Sequence, residues 1–499
     1  MEKDQNLAPK KINLLLDKIR SYNPTADTAL IERAFIYTKE AHRGQKRLSG
    51  EPVFTHALAI ANFLADWHLD TASIVAGLLH DVPEDTTKTL VNIEKHFGKE
   101  IRDLVDGLTR IKKIKLRGSN SEDFIENLRK MFLAMSRDLR VIIVKLADRY
   151  HNMLTLEYLP KEKQIGIAQE TLEIFAPLAE RLGMGQVKGE LEDLAFPYCY
   201  PKEYQWLIDY TRPYYKKAEE RIKEARRCIL KNLAEEGLRV KVKGRVKTLY
   251  SLWRKLLRPE NDRDINKIHD LVALMVITEK PQECYLALGI IHKVWQLVPY
   301  LGVRDWIAQP KPNGYQSIHT NVFWNDGQII EFKIRTMAMH EQARYGVAAH
   351  WYLAEMKSKN KIDSKGIDNG RFFAPDKKMA WVNQLAAWQS EIVDSKEFID
   401  SVKFDALKHR IFVFSPKGDA FDLPEGSTPV DFAYRVHTDL GNQTAGAKVD
   451  GRMVGLDYSL HSGEVVEILI DRKRKKPSID WLDFVVTRLS QREIKQNAR

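Results

Sequence analysis

The sequence predicts a multidomain chain: an all-α block first, an α/β block second and a small β-rich module third. Three observations carry this. The 499 residues exceed what one hydrophobic core organises, and length alone suggests about three domains. From residue 10 to about 195, apolar residues recur at helical spacing with few glycines or prolines between them. Beyond that point short β-rich runs alternate with helical ones, and from about 405 strands and turns follow one another closely.

In the first block the runs Ala57-Leu58-Ala59-Ile60-Ala61-Asn62-Phe63-Leu64 and Val141-Ile142-Ile143-Val144-Lys145-Leu146 carry the helical pattern. Phe196-Pro197 and Pro201 mark its end. A long charged helix follows over about 203–236. Strands are expected at Val240-Lys241-Val242, Leu271 to Thr278, Thr320 to Trp324 and Ile329 to Ile334, with helices at 247–257 and 281–297 between them. The middle block is therefore α/β or α+β. Residues 353–404 read as a linker with a short helix at 379–395. His409-Arg410-Ile411-Phe412-Val413-Phe414 opens the third module, Pro416-Lys417-Gly418-Asp419 turns the chain and Val465-Val466-Glu467-Ile468-Leu469 closes it. The basic run Arg472 to Lys476 leads into a further helix, and no repeat of fixed period occurs.

Composition narrows the function classes. Hydrophobic residues make up 44% and charged residues 29%, a globular balance. No apolar run reaches the roughly 18 residues of a membrane span, and the polar start Met1-Glu2-Lys3-Asp4-Gln5 lacks a signal peptide's apolar core. Cys199, Cys228 and Cys284 are scattered, which argues against a disulfide framework and fits a reducing cytoplasm. The net charge of +11 makes polyanions, nucleotides or RNA, the plausible partners. Neither a membrane nor DNA is expected.

The helical block holds four candidate metal ligands, His56, the adjacent pair His80-Asp81, and Asp148. Imidazole and carboxylate together suit a divalent transition ion with an open position for water. Glu84-Asp85, just beyond Pro83, adds two carboxylates able to hold or deprotonate that water. The basic loop Arg43 to Pro52 carries two glycines and can approach phosphates closely.

The middle block holds a second constellation. In the basic run from Lys241 to Lys255, which spans a strand end and the helix after it, Lys247 and Ser251 are four apart and share a helix face with Lys255. Cations on one face suit a polyphosphate. Asp270 and Glu331 stand at strand starts, where carboxylates can bind magnesium or accept a proton from an attacking hydroxyl. Between them lies a Pro-Asn-Gly turn, with Tyr315 available to stack on a base and Lys311 and His319 available to phosphates.

The first constellation resembles the HD-type hydrolase domain of long RelA/SpoT homologues. The matching runs are His42-x-Gly44-Gln45-x-Arg47-x-Ser49-Gly50-Glu51-Pro52 with His56, Leu78-Leu79-His80-Asp81-x-x-Glu84-Asp85-Thr86, and Lys145-Leu146-Ala147-Asp148-Arg149-x-His151-Asn152-Met153. The resemblance implies an all-α domain over 1–196 that hydrolyses (p)ppGpp. It implies Mn2+ on His56, His80, Asp81 and Asp148, water activation by Glu84 and Asp85, and a nucleotide pocket lined by Arg47, Ser49, Asn152 and Thr155.

Residues 197–352 resemble the (p)ppGpp synthetase domain of the same family, a nucleotidyltransferase-like α/β fold. The match runs through Gly244-Arg245-x-Lys247-x-x-Tyr250-Ser251, Asp270-Leu271, Lys311-Pro312-Asn313-Gly314-Tyr315-Gln316-Ser317-x-His319-Thr320, Glu331-x-x-Ile334-Arg335-Thr336 and Ala348-Ala349-His350-Trp351. This implies pyrophosphate transfer from ATP to the 3′-hydroxyl of GDP or GTP. Mg2+ would sit on Asp270 and Glu331 would assist as ligand or base. The nucleotides would be held by Arg245, Lys247, Ser251, Lys255, Arg304, Lys311, Asn313, Tyr315 and His319, with Tyr315 on the guanine.

Residues 405–470 resemble a TGS domain, through Phe412-x-Phe414-x-Pro416-Lys417-Gly418, Leu423-Pro424-x-Gly426 and Asp431-Phe432-Ala433-Tyr434-x-Val436-His437-Thr438. This implies contact with the ribosome and deacylated tRNA, with His437 at the tRNA. Residues 471–499 would begin a helical region.

Three positions depart from the family pattern: Gly302 and Met275 where arginines are common, and Lys333 where glutamine is common. They leave open a hydrolase-dominant homologue with a weakened synthetase. A ribosome- or tRNA-binding regulator with non-catalytic domains is disfavoured by the intact ligand sets.

Overall fold

The computed structural model describes residues 2–112, 137–259, 261–311, 314–325, 327–348, 410–471 and 476–498. They form two compact units, one comprising residues up to Leu207 together with 341–348, the other Ile208–His340 together with the residues from Arg410 on. The linker expected over 353–404 lies outside the described residues.

The first unit is helical, as predicted. Its elements are α1 (Glu2–Tyr22), α2 (Thr28–Ala41), α3 (Phe54–Asp66), α4 (Thr71–Leu79), α5 (Val82–Asp85), α6 (Leu90–Phe97), α7 (Lys99–Lys112), α8 (Arg140–Leu154), α9 (Lys161–Glu170), α10 (Ala176–Arg181), α11 (Gly185–Cys199) and the start of α12 (Pro201–Glu235). Pro197 does not end a helix. It lies inside α11, two residues from its end, where the missing N–H costs one terminal bond, and the break falls at Tyr200. Pro201 then opens α12, a first-turn position that proline fits.

α4 is the apolar centre of this unit, its residues from Ser73 to Leu79 all buried. A Cβ on Gly77 would stand 2.6 Å from Leu64 Cδ1 and 3.2 Å from Ile60 Cγ2, so glycine is what lets α4 press against α3 one turn before its end. The start of α4 is fixed by charge. Asp70 accepts from the Ser73 amide at 3.2 Å and from Arg140 Nη1 at 2.7 Å, and both side chains are nearly buried. Arg140, the first residue of α8, also pairs with Glu100 and Asp138 at 2.7 Å each. α4 and α8 therefore start side by side and run parallel. At about 1.5 Å per residue, His80 and Asp148 stand at nearly the same depth, roughly 12–14 Å along.

The second unit is built on a five-stranded sheet in the order β1-β2-β5-β4-β3. In chain order it contains β1 (Lys241–Val246), α13 (Leu249–Leu256), β2 (Val272–Thr278), α14 (Pro281–Val294), β3 (Val303–Asp305), β4 (Ile318–Phe323), β5 (Ile329–Thr336) and α15 (Met337–Tyr345), whose last residues belong to the first unit. β2 and β5 are parallel and the other pairings antiparallel, so the middle block is a mixed sheet. Alternation gives the sheet two unlike faces. Val242, Val272, Leu274, Val276, Ile318, Val322, Ile330, Phe332 and Ile334 belong to one core with Ala218, Ala225, Ile229 and Leu233 of α12 and with Cys284, Ala287, Ile290 and Ile291 of α14. β1 lies so close to α12 that a Cβ on Gly244 would stand 2.0 Å from Ile222 Cγ2. The opposite face carries Lys243, Arg245, Met275, Glu331, Lys333, Arg335, Asn321, His319 and Arg304, brought side by side by the register.

The third module lies in this same unit. It comprises β6 (Arg410–Phe414), β7 (Ala420–Pro424), α16 (Pro429–Val436), α17 (Thr438–Asn442), β8 (Thr444–Val449), β9 (Arg452–Val454), β10 (Val466–Ile470) and a final helix α18 (Arg488–Asn497). β6 pairs with β7, and β10-β8-β9 form a second small sheet. Trp306 stacks on Phe414 with ring centres 5.4 Å apart, and Arg258 pairs with Glu425 at 3.1 Å. Asp431, fully buried, accepts from Thr428 Oγ1 at 3.0 Å, the Val486 amide at 3.0 Å and the Thr487 amide at 2.8 Å. Trp481, Val485 and Ile494 pack with Val430 and Tyr434 of α16. The segment after β10 is thus packed onto the module's own helix.

Arg140→Met is expected to leave Asp70 charged and buried without its partner. Urea unfolding of this variant should show a loss of about 3–5 kcal/mol. A loss below about 1 kcal/mol would mean that the pair does not set the start of α4.

Candidate active sites

In the first unit three helices converge. α3 presents His56 from its first turn, α4 ends at His80, Asp81 precedes α5, and α8 presents Asp148. His56 Nε2 lies 3.3 Å from Asp148 Oδ1 and 3.8 Å from Asp81 Oδ2, and His80 Nε2 lies 3.0 Å from Asp81 Oδ2. All four side chains are buried. His80 Nε2 makes no hydrogen bond, even to the Asp81 oxygen beside it, so the two atoms are not aligned on each other. Its Nδ1 donates to the Gly77 carbonyl at 2.9 Å, so in the neutral ring Nε2 carries the lone pair. Two imidazole nitrogens and two carboxylates gathered this way fit a divalent cation.

Charge agrees with that role. Burial lowers the pKa of His56 against the pull of Asp148, and burial with His56 and Arg47 pushes His151 down to about 3. Both rings are neutral at pH 7, the form in which imidazole binds metal. His80 is raised, because Asp81 and Asp148 outweigh its burial. Asp148 is held well below the carboxylate range by Lys145, His56 and His80, in spite of burial.

Around the ligands, Asp148 accepts from Lys145 Nζ at 2.6 Å and from Asn152 Nδ2 at 2.7 Å. Arg47 Nη2 reaches Asn152 Oδ1 at 3.2 Å and Thr155 Oγ1 at 3.4 Å, so three of the expected pocket residues do meet. Arg47 and Ser49 ride on a tight hairpin, closed by the Arg47 amide on Glu51 O at 2.8 Å and turned at Gly50 with φ +86°. The Ser49 hydroxyl is buried and makes no hydrogen bond. Glu84 and Asp85 follow in α5, their amides bonded to Asp81 O at 3.2 and 3.0 Å. The sequence reading missed His151, whose Nδ1 lies 3.0 Å from His56 Nδ1, and gave Lys145 no role. Their signal was the helical stripe 145, 148, 152, 155 with 151 beside it.

In the second unit, Asp270 Oδ2 accepts from both Lys247 Nζ and Lys255 Nζ at 2.7 Å, while Asp270 Oδ1 is buried and makes no hydrogen bond. The expectation that Lys247, Ser251 and Lys255 share a helix face is corrected in one respect. Lys247 precedes α13, because its amide still pairs with Leu271 O at 3.1 Å and continues the sheet edge. Ser251 and Lys255 lie within α13. Burial would raise the Asp270 carboxyl, but the two lysines hold it down at about 2; burial in turn brings Lys247 down to about 8.

Glu331 lies in β5, level with Ala273 in β2. Its Oε1 meets His319 Nδ1 at 3.1 Å and its Oε2 meets Lys333 Nζ at 3.2 Å. Burial opposes its ionisation, yet Lys333 and His319 hold it well below the carboxylate range. His319 Nε2 meets the Tyr315 hydroxyl at 2.8 Å, and burial brings its pKa down to about 4. His319 is therefore a neutral bridge from Tyr315 to Glu331. Lys311 faces aromatic rings. Its Nζ lies 4.6 Å from the Trp306 ring centre, 5.3 Å from Tyr315 and 5.0 Å from Phe412, among aromatic faces. Arg245 and Arg304 are exposed on the two edge strands, and Asn313 lies outside the described residues.

The departures from the family pattern take on a spatial order. Met275 and Lys333 are direct partners across β2 and β5, so the cation missing from one strand stands on the next. Arg335 Nη2 contacts the Met275 sulfur at 3.2 Å. Gly302 has φ +59°, a left-handed turn into β3 that an arginine would adopt under strain. His437 does not flank a strand: it joins α16 to α17, accepting from the Asp439 amide at 3.2 Å with its side chain 70% exposed.

Comparison with known proteins agrees with this layout. Residues 34–185 match the HD domain, 244–358 the region found in RelA / SpoT proteins, and 411–470 the TGS domain. The GTP pyrophosphokinase of Myxococcus xanthus is 44% identical over 96% of this chain and 61% of its own length. The bifunctional (p)ppGpp synthase/hydrolase RelA of Mycobacterium tuberculosis is 43% identical over 96% of this chain and 63% of its own. The guanosine-3′,5′-bis(diphosphate) 3′-pyrophosphohydrolase of Aquifex aeolicus is 41% identical over 96% and 66%. The chain thus spans about three fifths of the length of the curated relatives it matches. These matches define the class as a protein joining an HD domain, a RelA/SpoT region and a TGS domain in series. The chain belongs to the RelA/SpoT family.

Lys247→Met is expected to raise the Asp270 carboxyl from about 2 into or above the ordinary carboxylate range, read by carboxyl NMR titration. The depressed carboxyl stabilises the fold above its ordinary pKa of 3.8, a contribution lost as pH falls toward about 2, and the variant should lose that acid dependence. An unmoved Asp270 titration would assign its depression to Lys255 alone.

Proposed function

We propose that the chain carries two opposed activities on one guanosine alarmone. The first unit removes the 3′-pyrophosphate of (p)ppGpp to leave GDP or GTP, and the second transfers pyrophosphate from ATP to the 3′-hydroxyl of GDP or GTP. The observation that carries the reading is the completeness of both sites on one chain. His56, His80, Asp81 and Asp148 face one another in the first, and Asp270 and Glu331 are ionised among lysines in the second.

In the hydrolase, His56, His80, Asp81 and Asp148 would hold Mn2+, which lowers the pKa of a water and polarises a phosphoryl oxygen. Glu84 and Asp85 lie one turn beyond Asp81 and take the proton from the attacking water. Arg47, steadied by Asn152 and Thr155, neutralises the departing pyrophosphate, and the Ser49 hydroxyl donates to the nucleotide.

In the synthetase, Asp270 and Glu331 would hold Mg2+, which would supply positive charge to neutralise the phosphates of ATP. Lys247 and Lys255 turn from Asp270 toward the polyphosphate, with Arg245 and Ser251 near them, and Arg304 adds positive charge at the other edge of the sheet. Tyr315 would stack on the guanine, and Asn313 and Lys311 would contribute to nucleotide binding. Neutral His319 fixes the Tyr315 hydroxyl and takes part in removing the 3′-hydroxyl proton toward Glu331. His437, exposed on the TGS module, would meet deacylated tRNA on the ribosome. Among the described residues no helix is long and apolar enough to cross a membrane, in keeping with a cytoplasmic enzyme.

Two incubations test this. The protein with ATP, GDP and Mg2+ should yield ppGpp, and the protein with ppGpp and Mn2+ should yield GDP and pyrophosphate. His80→Ala should abolish breakdown and leave synthesis; undiminished hydrolysis would sink the ligand assignment. Asp270→Ala or Glu331→Ala should cost a thousandfold or more in synthesis, about 4 kcal/mol of barrier. Synthesis retained at a tenth of the original rate would mean other carboxylates carry it.

A further inference from the structure

Lys333 is unusual among the charged residues of the second unit. β5 is the middle strand of the five, and Lys333 stands on its polar face between Met275 on one side and His319 on the other. Its ammonium lies 3.2 Å from Glu331 Oε2, with the lysine side chain 26% exposed and the glutamate 10%. The carboxylate is enclosed while the ammonium reaches toward the open side. As a purely structural device such a pair has little value, since a buried ion pair is often no more stabilising than an apolar pair of similar size. The same face carries Lys243, Arg245, Arg335 and Arg304, and Lys247 and Lys255 meet Asp270 just beyond β1, so cations outnumber the two carboxylates Asp270 and Glu331. The surplus is positive and is concentrated on one sheet face, complementary to a polyanion. Met275, being neutral, places no second cation opposite Lys333 on the neighbouring strand.

We propose that Lys333 is a phosphate-binding residue for the nucleoside triphosphate donor. When the triphosphate enters, the Lys333 ammonium leaves Glu331 for a phosphate oxygen, and Glu331 is released for the work assigned to it above. Lys333 thus does for Glu331 what Lys247 and Lys255 do for Asp270: it keeps the carboxylate ionised beforehand and then follows the negative charge to the substrate. The inference rests on the synthetase reading of this unit. It adds a residue in which the chain departs from its family's pattern and gives that departure a role in binding.

The test is calorimetry with α,β-methylene-ATP, which cannot give up its pyrophosphate, in the presence of Mg2+. Lys333→Met should weaken binding about tenfold, and Lys333→Arg should bind within about threefold of the unaltered protein. Lys333→Met leaves Glu331 without its ammonium, so the decisive comparison uses variants with no orphaned charge. Glu331→Gln alone serves as the reference, whatever its own affinity, and Glu331→Gln with Lys333→Met should be about tenfold weaker than that reference. If that double variant binds as tightly as Glu331→Gln, Lys333 only balances Glu331 and the inference fails. If the unaltered protein binds neither the analogue nor GDP, the synthetase reading itself fails and takes this inference with it.

Discussion

A carboxylate that leaves water must bring its neutralisation with it, and this constraint organises both units. Five acids with a structural or chemical task are largely enclosed and answered. Asp70 is met by Arg140 at the start of two helices, Asp148 by Lys145 and Asn152, Asp270 by two lysines, Glu331 by Lys333 and His319, and Asp431 by backbone amides and hydroxyls. The kind of answer differs with the task. Where the carboxylate holds architecture, its partners are a branched guanidinium or main-chain N–H groups, fixed in direction. Where it stands in a reaction site, the partners are lysines on flexible stems, a side-chain amide or a neutral imidazole, groups that can be exchanged for an incoming ion at small cost.

The two sites reach this condition by different geometry. In the helical unit the ligands come from three separate helices, and their meeting depends on longitudinal register: the common start of α4 and α8 and the close approach of α4 to α3 at Gly77. In the sheet unit the period of two does the work. Glu331, Lys333 and Arg335 all face one way because Phe332 and Ile334 must face the core. One face is committed to packing on α12 and α14, and the other is left to chemistry.

The sequence displayed the acids, the imidazoles and the period of the elements well. His56, His80, Asp81 and Asp148 were each conspicuous as polar residues adjoining apolar helical runs, and the alternation Glu331-Phe332-Lys333-Ile334-Arg335 was open to reading. Pairings across long separations were not. Nothing local says that Lys247 and Lys255 share Asp270, that Lys333 answers Glu331, or that Met275 and Lys333 are neighbours, since the parallel pairing of β2 with β5 joins segments separated by a helix and two other strands. The neutrality of His319 was likewise hidden, because it follows from burial between Tyr315 and Glu331, not from the residue type. Lys247 was placed on the wrong element because a basic run spanning a strand end and a helix start has no internal mark of the break. Pro197 misled for the opposite reason: a break signal near a helix end costs too little to act as one.

Asp431 has a consequence for where this module ends as a physical object. The sequence pattern of the module stops at residue 470, yet the amides of Val486 and Thr487 complete the coordination of that acid, and Trp481, Val485 and Ile494 close the apolar side of α16. A polypeptide cut after β10 would keep every recognisable motif while losing the donors to an enclosed negative charge and opening a greasy cleft to water. Such a fragment would be prone to self-association, and its behaviour would say more about the cut than about the module. The unit of homology and the unit of cooperative folding differ here by roughly the length of one helix and its leader, and an excised piece intended for binding studies should be trimmed to the second.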